Sequence, residues 1–185
     1  CSIGKMYTSL ALEKELRARG RKADFRATGQ TGILIAGSGV SVDAVVADFI
    51  SGATEWLAPA NDPDHWDLIE GQGSLYHASY AGVSLGLLHG AQADALVMCH
   101  EPTRTHMRGL LQYPLPPLKD CIALNEQLAR LTNPAAKCVA ISVNTSALDK
   151  AAADAFLKQT EDKTGLPAAD PLRTGVGKIV DVLGA

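Results

Sequence analysis

The chain of 185 residues is predicted to fold as a three-layer α/β domain built on a mainly parallel sheet. Two observations lead there. Strand-like segments alternate with helical patterns from one end to the other, the order expected of successive βα units. Several strands are also uninterrupted apolar runs, such as Ala95-Leu96-Val97-Met98-Cys99, as a sheet covered on both faces requires.

The first helix is read over residues 6–19, where Met6, Leu10, Leu12 and Leu16 supply the apolar positions and Glu13 and Arg17 stand four apart. Gly20 stops it, and the basic run Arg17, Arg19, Arg21 and Lys22 suits the negative end of the helix dipole. A short strand over 23–28 runs into a loop, Gly29-Gln30-Thr31-Gly32. Beyond the flexible Gly37-Ser38-Gly39, Ser41 is placed to cap a helix whose Val42, Val45, Val46, Phe49 and Ile50 share one face. A polar loop over 61–65 leads to a strand over 66–69, which ends at Glu70-Gly71-Gln72-Gly73-Ser74. A helical stretch follows to Leu88, and then a strand over 95–99 ends at His100-Glu101-Pro102. Residues 113–117 form a proline-marked break. Leu118, Cys121, Ile122 and Leu128 outline the next helix, ending near Asn133-Pro134. The strongest strand, over 138–143, ends at Asn144-Thr145-Ser146. Ser146 with Asp149 resembles a capping box opening a helix over 148–163, which Gly165 stops. A short strand over 167–170 and a helix over 178–183 complete the pattern.

Composition removes several function classes. The chain is 46% hydrophobic and 20% charged, enough apolar material for one ordinary domain with a real core. A formal net charge of −3 supplies no basic field for nucleic acid or an anionic membrane. No run approaches the roughly 20 apolar residues of a membrane span. Cys1, Cys99, Cys121 and Cys138 contain no C-x-x-C pair, which excludes a zinc ribbon and a thioredoxin-type motif. Cys99 and Cys138 lie in apolar runs and are expected as buried, reduced thiols, in keeping with the cytoplasm.

In parallel sheets the polar residues at the carboxyl ends of strands converge on a ligand crevice. Four such clusters are present: Thr28-Gly29-Gln30, the segment from Glu70 to Ser74, His100-Glu101, and Asn144-Thr145. Ahead of them, Cys1-Ser2-Ile3-Gly4-Lys5 runs directly into a helix. Backbone N–H groups, a helix N-terminus and a lysine form an anion cradle, the physics of the P-loop. The fold class is therefore read as P-loop NTPase-like, with the motif's first glycine and its leading strand expected upstream of Cys1. A nucleotide-hydrolysing P-loop places Ser or Thr after the lysine to hold Mg²⁺. Here that residue is Met6, and a thioether is no ligand for a hard cation. Thr8 and Ser9 are expected to point elsewhere, so phosphate binding is favoured over ATP hydrolysis.

Glu70, at a strand end, reads either as a general base facing phosphates or as a carboxylate satisfied by the N–H groups of the glycine-rich turn after it. His77 and His100 follow strand ends and are candidate bases or substrate donors, whereas His89 reads as a packed histidine. His100-Glu101-Pro102-Thr103-Arg104 is not a zinc-protease motif, since its proline breaks the helix that motif needs, and no metal site is expected. Arg104 and Arg108 suit a carboxylate or phosphate, or else form a solvated basic face. No G-x-S-x-G or G-x-G-x-x-G occurs, which removes serine-hydrolase and dinucleotide readings.

The strings CSIGKM, DFRATGQTGILIAG, VDAVVADF, EGQGSL-x-H, GLLHG, CHEPTRTH and SVNTS resemble the C-terminal P-loop domain of a family formerly known only as a domain of unknown function, one member type of which is D-glutamate N-acetyltransferase. The resemblance covers nearly the whole chain. It implies a Rossmann-like domain upstream, acetyl-CoA as acyl donor and D-glutamate as acceptor. Coenzyme phosphates would then lie against Ser2, Ile3, Gly4, Lys5 and Met6, an arrangement that needs no magnesium. The acceptor would meet Gln30, Arg104 and Arg108, and Glu70, His77 or His100 would serve as the base. The implied protein is a cytoplasmic homo-oligomer acting on small molecules. More distantly, the Lys5 loop, Glu70-Gly71 and Asn144 are similar to dethiobiotin synthetase and related ATP-dependent enzymes, which carry Thr where this chain has Met6. The alternatives are thus an ATP-dependent ligase or kinase, or a nucleotide- or acyl-CoA-binding domain without chemistry.

Overall fold

The computed structural model describes residues 3–184. In chain order its elements are α1 (Lys5–Ala18), β1 (Lys22–Arg26), α2 (Gln30–Ala36), α3 (Ile50–Leu57), β2 (His65–Ile69), α4 (Ala81–Ala91), β3 (Ala95–His100), β4 (His106–Met107), β5 (Leu110–Pro114), α5 (Leu118–Ala129), β6 (Lys137–Val143), α6 (Lys150–Thr164), β7 (Ala168–Ala169) and α7 (Gly177–Leu183).

The apolar run that predicted the strongest strand forms β6, the middle strand of the parallel group β3–β6–β7. Its successive side chains point to opposite faces, and each face is covered. Ala140 packs with Leu12 and Leu16 of α1 and Ile179 and Val180 of α7. Ile141 and Val143 pack with Leu157 of α6, against Leu118 and Ile122 of α5. These contacts make the three layers. Leu16, Ile141 and Ile179 are fully buried, and each contributes about 1.5–3 kcal/mol of transfer free energy. β1 and β2 form a second parallel pair, with Phe25 opposite Leu68. The predicted Glu13–Arg17 pair is present at 2.9 Å, and it ties α1 to β1. Glu13 accepts the Phe25 N–H, while Arg17 donates to the Ala23 carbonyl. Among the described residues no helix is long and apolar enough to cross a membrane.

The structure departs from the sequence reading in five places. Gly29-Gln30-Thr31-Gly32 is not a loop, because α2 starts there with Gly29 as its N-cap. The helix expected after Ser41 is replaced by two single 3₁₀ turns, Val42–Ala44 and Ala47–Phe49, separated by extended backbone at Val45 and Val46. Ser41 gives its hydroxyl to Asp43 instead of capping, and regular helix begins only at Ile50. The helical stretch expected before Leu88 begins at Ala81. Residues 106–114 form a small antiparallel hairpin, β4–β5, closed by Arg108-Gly109 with Gly109 at φ 78°. Finally, α6 is capped by Asp149, whose carboxylate accepts the Ala152 N–H, and not by Ser146.

Candidate functional site

The carboxyl ends of β2 and β3 open into one cavity of about 350 Å³, and α1 aims its N-terminus at it. Gly4 caps α1 at φ 101°, a left-handed conformation that suits glycine. It offers no side-chain acceptor to the first-turn N–H groups, so those donors and the positive end of the helix dipole are left for an anion. Lys5 crosses over the end of β2, where a Cβ added at Gly71 would stand 3.4 Å from its Cδ. Burial lowers the pKa of the Lys5 ammonium, with Arg104 pushing the same way and Cys99 and Glu70 opposing. Ile3 and Lys5 line the cavity. Met6 is half-buried and does not. Ser2 lies outside the described residues.

The two hydroxyls that follow are committed elsewhere. Thr8 bonds the Gly4 carbonyl at 3.0 Å and the Ser142 hydroxyl of β6 at 2.8 Å, and Ser9 donates to the Lys5 carbonyl. Neither stands in for the metal-holding hydroxyl that Met6 displaces. Among the described residues no three His, Cys, Asp or Glu side chains group to hold a metal ion.

Glu70 is buried at the end of β2. One carboxylate oxygen, Oε2, accepts the N–H groups of Thr28 at 3.0 Å and Gly29 at 3.2 Å. The donors thus belong to the turn after β1, not to the glycine-rich turn after Glu70 itself. The carboxylate sits at the N-terminus of α2 and stabilises it. Gly32 makes room for it, since an added Cβ there would lie 2.4 Å from Oε2. Gln72 reaches back to the Thr28 hydroxyl at 3.0 Å and lines the cavity. Gln30, by contrast, is exposed on the first turn of α2 and lies off the cavity.

His77 is buried beneath Tyr80, ring centroids 4.5 Å apart. Its Nδ1 accepts the Ser79 N–H, and its Nε2 faces the Arg108 carbonyl at 3.0 Å, which fixes the tautomer with the proton on Nε2. With both nitrogens engaged, His77 anchors the β4–β5 turn to the segment leading into α4. His100 is different. It ends β3, stacks on Phe156 of α6 at 5.8 Å and lines both this cavity and an adjoining cleft toward α6. Burial lowers its pKa from the ordinary 6.5, against Glu101, so the ring is neutral at pH 7. Arg104 is held at the wall by Glu101, Nε to Oε2 at 3.0 Å. Desolvation opposes ionisation of Glu101, but its Thr103 hydrogen bonds and Arg104 outweigh it and keep the carboxyl low. Arg108, at the hairpin turn, also faces the cavity.

Of the four strand-end clusters, the segment from Glu70 to Ser74 and the His100-Glu101 pair line the cavity. Thr28 serves it through Glu70 and Gln72. The Asn144-Thr145 end is turned away, because the Thr145 N–H and hydroxyl both go to the Asp170 carboxylate. The thiols do not read as nucleophiles. Protein packed around Cys99 raises its pKa against the Thr8 hydrogen bond and Lys5. Burial takes Cys138 up to about 11, and Cys99, Cys121 and Cys138 are free thiols.

Sequence reasoning brought Gln72 to the crevice within the segment from Glu70 to Ser74, but it missed the hairpin that carries Arg108. The two-residue Arg-Gly turn was the available signal, although it is weaker than Asn-Gly.

This chain is similar to known proteins along its whole length. The profile described as "Domain of unknown function (DUF1611_C) P-loop domain" matches residues 1–180. A D-glutamate N-acetyltransferase of Tritonibacter scottomollicae is 58% identical over 185 residues, all of this chain and 56% of that protein. A second, from a Pseudoalteromonas species, is 56% identical over 97% of this chain and 54% of its own length. The chain thus spans about half the length of these relatives, their C-terminal part. A crystal structure of a DUF1611-family protein from Anabaena variabilis superposes with TM-score 0.93 at 38% identity, over 99% of this chain and 54% of that one.

Proposed function

Because the chain belongs to the DUF1611 P-loop domain family, we propose that it forms the phosphate-binding half of an acetyl-CoA-dependent N-acetyltransferase acting on D-glutamate. The observation that carries this reading is the cavity end where Lys5, the uncapped start of α1 and a neutral His100 meet. Its cations suit the phosphates of the donor and the carboxylates of the acceptor without a metal. The two curated relatives bear the corresponding name.

In this proposal the backbone N–H groups of Lys5 and Met6 and the Lys5 ammonium bind donor phosphate. Arg104, oriented by Glu101, and Arg108 take the acceptor's two carboxylates, for which a guanidinium fork is the matching shape. His100 removes a proton from the acceptor ammonium, a task for which a pKa near or below neutrality is suited. The amine nitrogen then bonds to the acetyl carbon, the carbon–sulfur bond breaks, and coenzyme A leaves as the thiol once protonated. Glu70 and His77 serve by position, holding the start of α2 and the hairpin turn. Cytoplasmic location and a homo-oligomeric state belong to the same proposal. The free thiols fit a reducing compartment, and Leu34 and Trp56, 83% and 74% exposed, are the kind of apolar surface a subunit contact covers.

The test is transfer of labelled acetyl from acetyl-CoA by the full-length polypeptide. The expected result is labelled N-acetyl-D-glutamate and free coenzyme A thiol in equal amounts, with no ATP or Mg²⁺ added. Absence of transfer, with product formed only when ATP and Mg²⁺ are supplied, would assign the site to a ligase or kinase.

A further inference from the structure

A second opening reaches the candidate base. A cleft of about 870 Å³ lies between the start of α5 and the C-terminal half of α6. His100, Arg104, Leu115, Pro116 and Leu118 line both it and the first cavity, so the imidazole and the guanidinium stand at the junction of the two. Phe156, on which His100 stacks, lies on the cleft side.

The charges of the cleft differ in kind from those at the Lys5 end. Lys119 and Asp120 come from the first turn of α5, and Asp162 and Lys163 from the last turn of α6. Adjacent residues of a helix do not face each other, and among the described residues none of these four side chains is engaged in an ion pair. Each wall therefore offers one cation and one carboxylate to whatever enters. A polyanion such as the phosphate groups of a coenzyme meets two opposing carboxylates there. At the Lys5 end it meets an ammonium and an uncapped helix start. A zwitterion in the cleft, by contrast, finds a partner for each of its charges. Size points the same way. The first cavity, about 350 Å³, is near the lower end of the roughly 300–1,000 Å³ typical of ligand sites. A coenzyme ester seated there leaves no passage beside it for a second substrate.

We infer that the α5–α6 cleft is the acceptor's own entrance, admitting a zwitterionic amino acid to His100 and Arg104 while the acyl donor occupies the first cavity. This rests on the acetyl-transfer reading above and adds to it a route and a set of selecting charges. Lys119 and Lys163 draw the acceptor's carboxylates, Asp120 and Asp162 its ammonium, and Arg104 takes over a carboxylate at the junction. Both substrates are then bound at once, and acetyl passes directly from sulfur to nitrogen. The nitrogen–carbon bond forms and the carbon–sulfur bond breaks. Of the two protons the nitrogen sheds, His100 takes one and releases it to solvent through the cleft. The other ends on the departing sulfur.

The experiment is steady-state kinetics of the full-length polypeptide with labelled acetyl-CoA and D-glutamate, alongside calorimetric titration with acetyl-CoA. Two variants at exposed cleft positions are compared with the parent. One combines Lys119→Glu with Lys163→Glu and reverses the cations; the other, Gln159→Trp, narrows the passage. In the first, KM for D-glutamate should rise by about fivefold or more, the effect of reversing recognition charges. In the second, kcat/KM for D-glutamate should fall by about tenfold or more, the effect of a built-in clash. Acetyl-CoA affinity should be unchanged in both. Acceptor constants that neither variant alters would overturn the inference and leave the acetyl-transfer reading standing. Weaker acetyl-CoA binding with an unaltered acceptor KM would also overturn it, by giving the cleft to the coenzyme. A parent that transfers no acetyl removes the reading itself, and the inference with it.

Discussion

Replacing Gly32 with alanine tests how firmly the Glu70 carboxylate is committed. The new Cβ would stand 2.4 Å from Glu70 Oε2, 3.1 Å from Phe25 Cζ and 3.2 Å from Ala27 Cβ. No shift of one neighbour relieves all three, so the carboxylate must leave its place. That breaks the bonds from the Thr28 and Gly29 N–H groups, at 3.0 and 3.2 Å. A hydrogen bond to a charged group contributes about 1.5–3 kcal/mol, so losing the pair removes roughly 3 kcal/mol or more. Alanine returns up to about 1 kcal/mol as a better helix former than glycine. The net loss is about 2 kcal/mol, and for a chain of this size it lowers the melting temperature by roughly 4–8 °C. Thermal and denaturant unfolding measure it. Gly52→Ala in α3 is the control, because an added Cβ there meets nothing within 4 Å and only the helix-propensity gain remains. Equal or greater stability of Gly32→Ala would show that Glu70 does not hold the start of α2 and is free to act as a base.

Lys5→Ala should weaken acetyl-CoA binding by about 1.5–3 kcal/mol, the scale of a hydrogen bond to a charged group, and unchanged affinity in calorimetry would remove Lys5 from the site. The acid limb of the kcat/KM profile should fall below pH 6.5, because burial depresses the His100 pKa, and His100→Gln should abolish that limb along with most of the activity. On acidification the unfolded chain protonates this ring before the folded one does. The His100 contribution to stability is therefore intact above pH 6.5 and lost as pH falls through the lower folded value; in His100→Gln the unfolding free energy should fall less over that range. Gly90→Ala should destabilise strongly, since its Cβ would lie 2.1 Å from the Ser51 backbone carbonyl. Separating α3 from α4 by more than 1 Å forfeits packing on the scale of 1–3 kcal/mol, and a melting temperature at or above the parent's would refute the close helix approach.

The alternation of apolar strands and helices was legible because parallel strands buried on both faces have no polar side to blur them. β6 is the plain case. The misreadings share a physical cause, in that local pattern and tertiary demand diverge. Val42, Val45, Val46, Phe49 and Ile50 have helical spacing, yet the backbone extends at Val45 and Val46, and Val46 and Phe49 are 68% and 67% exposed. Gly29 and Gly32 resemble loop glycines, whereas Gly32 is small to admit the Glu70 carboxylate inside a helix. Within the site, strand-end logic brought Glu70 and His100 to one cavity. It had no way to show that Thr145 is bound to Asp170, 25 residues along the chain, or that both nitrogens of His77 are occupied. Thr8 and Ser9 were expected to point elsewhere than the phosphate cradle, and their hydroxyls bond the Gly4 and Lys5 carbonyls and Ser142.

The central claim is that the Lys5 cradle holds coenzyme phosphates without a metal. Calorimetric titration of the full-length polypeptide, with acetyl-CoA in a magnesium-free buffer and separately with ATP plus Mg²⁺, tests it most directly. Saturable binding of acetyl-CoA without magnesium, weakened by Lys5→Ala, is the result this account predicts. Binding of ATP only when Mg²⁺ is present, with none of acetyl-CoA, would contradict it.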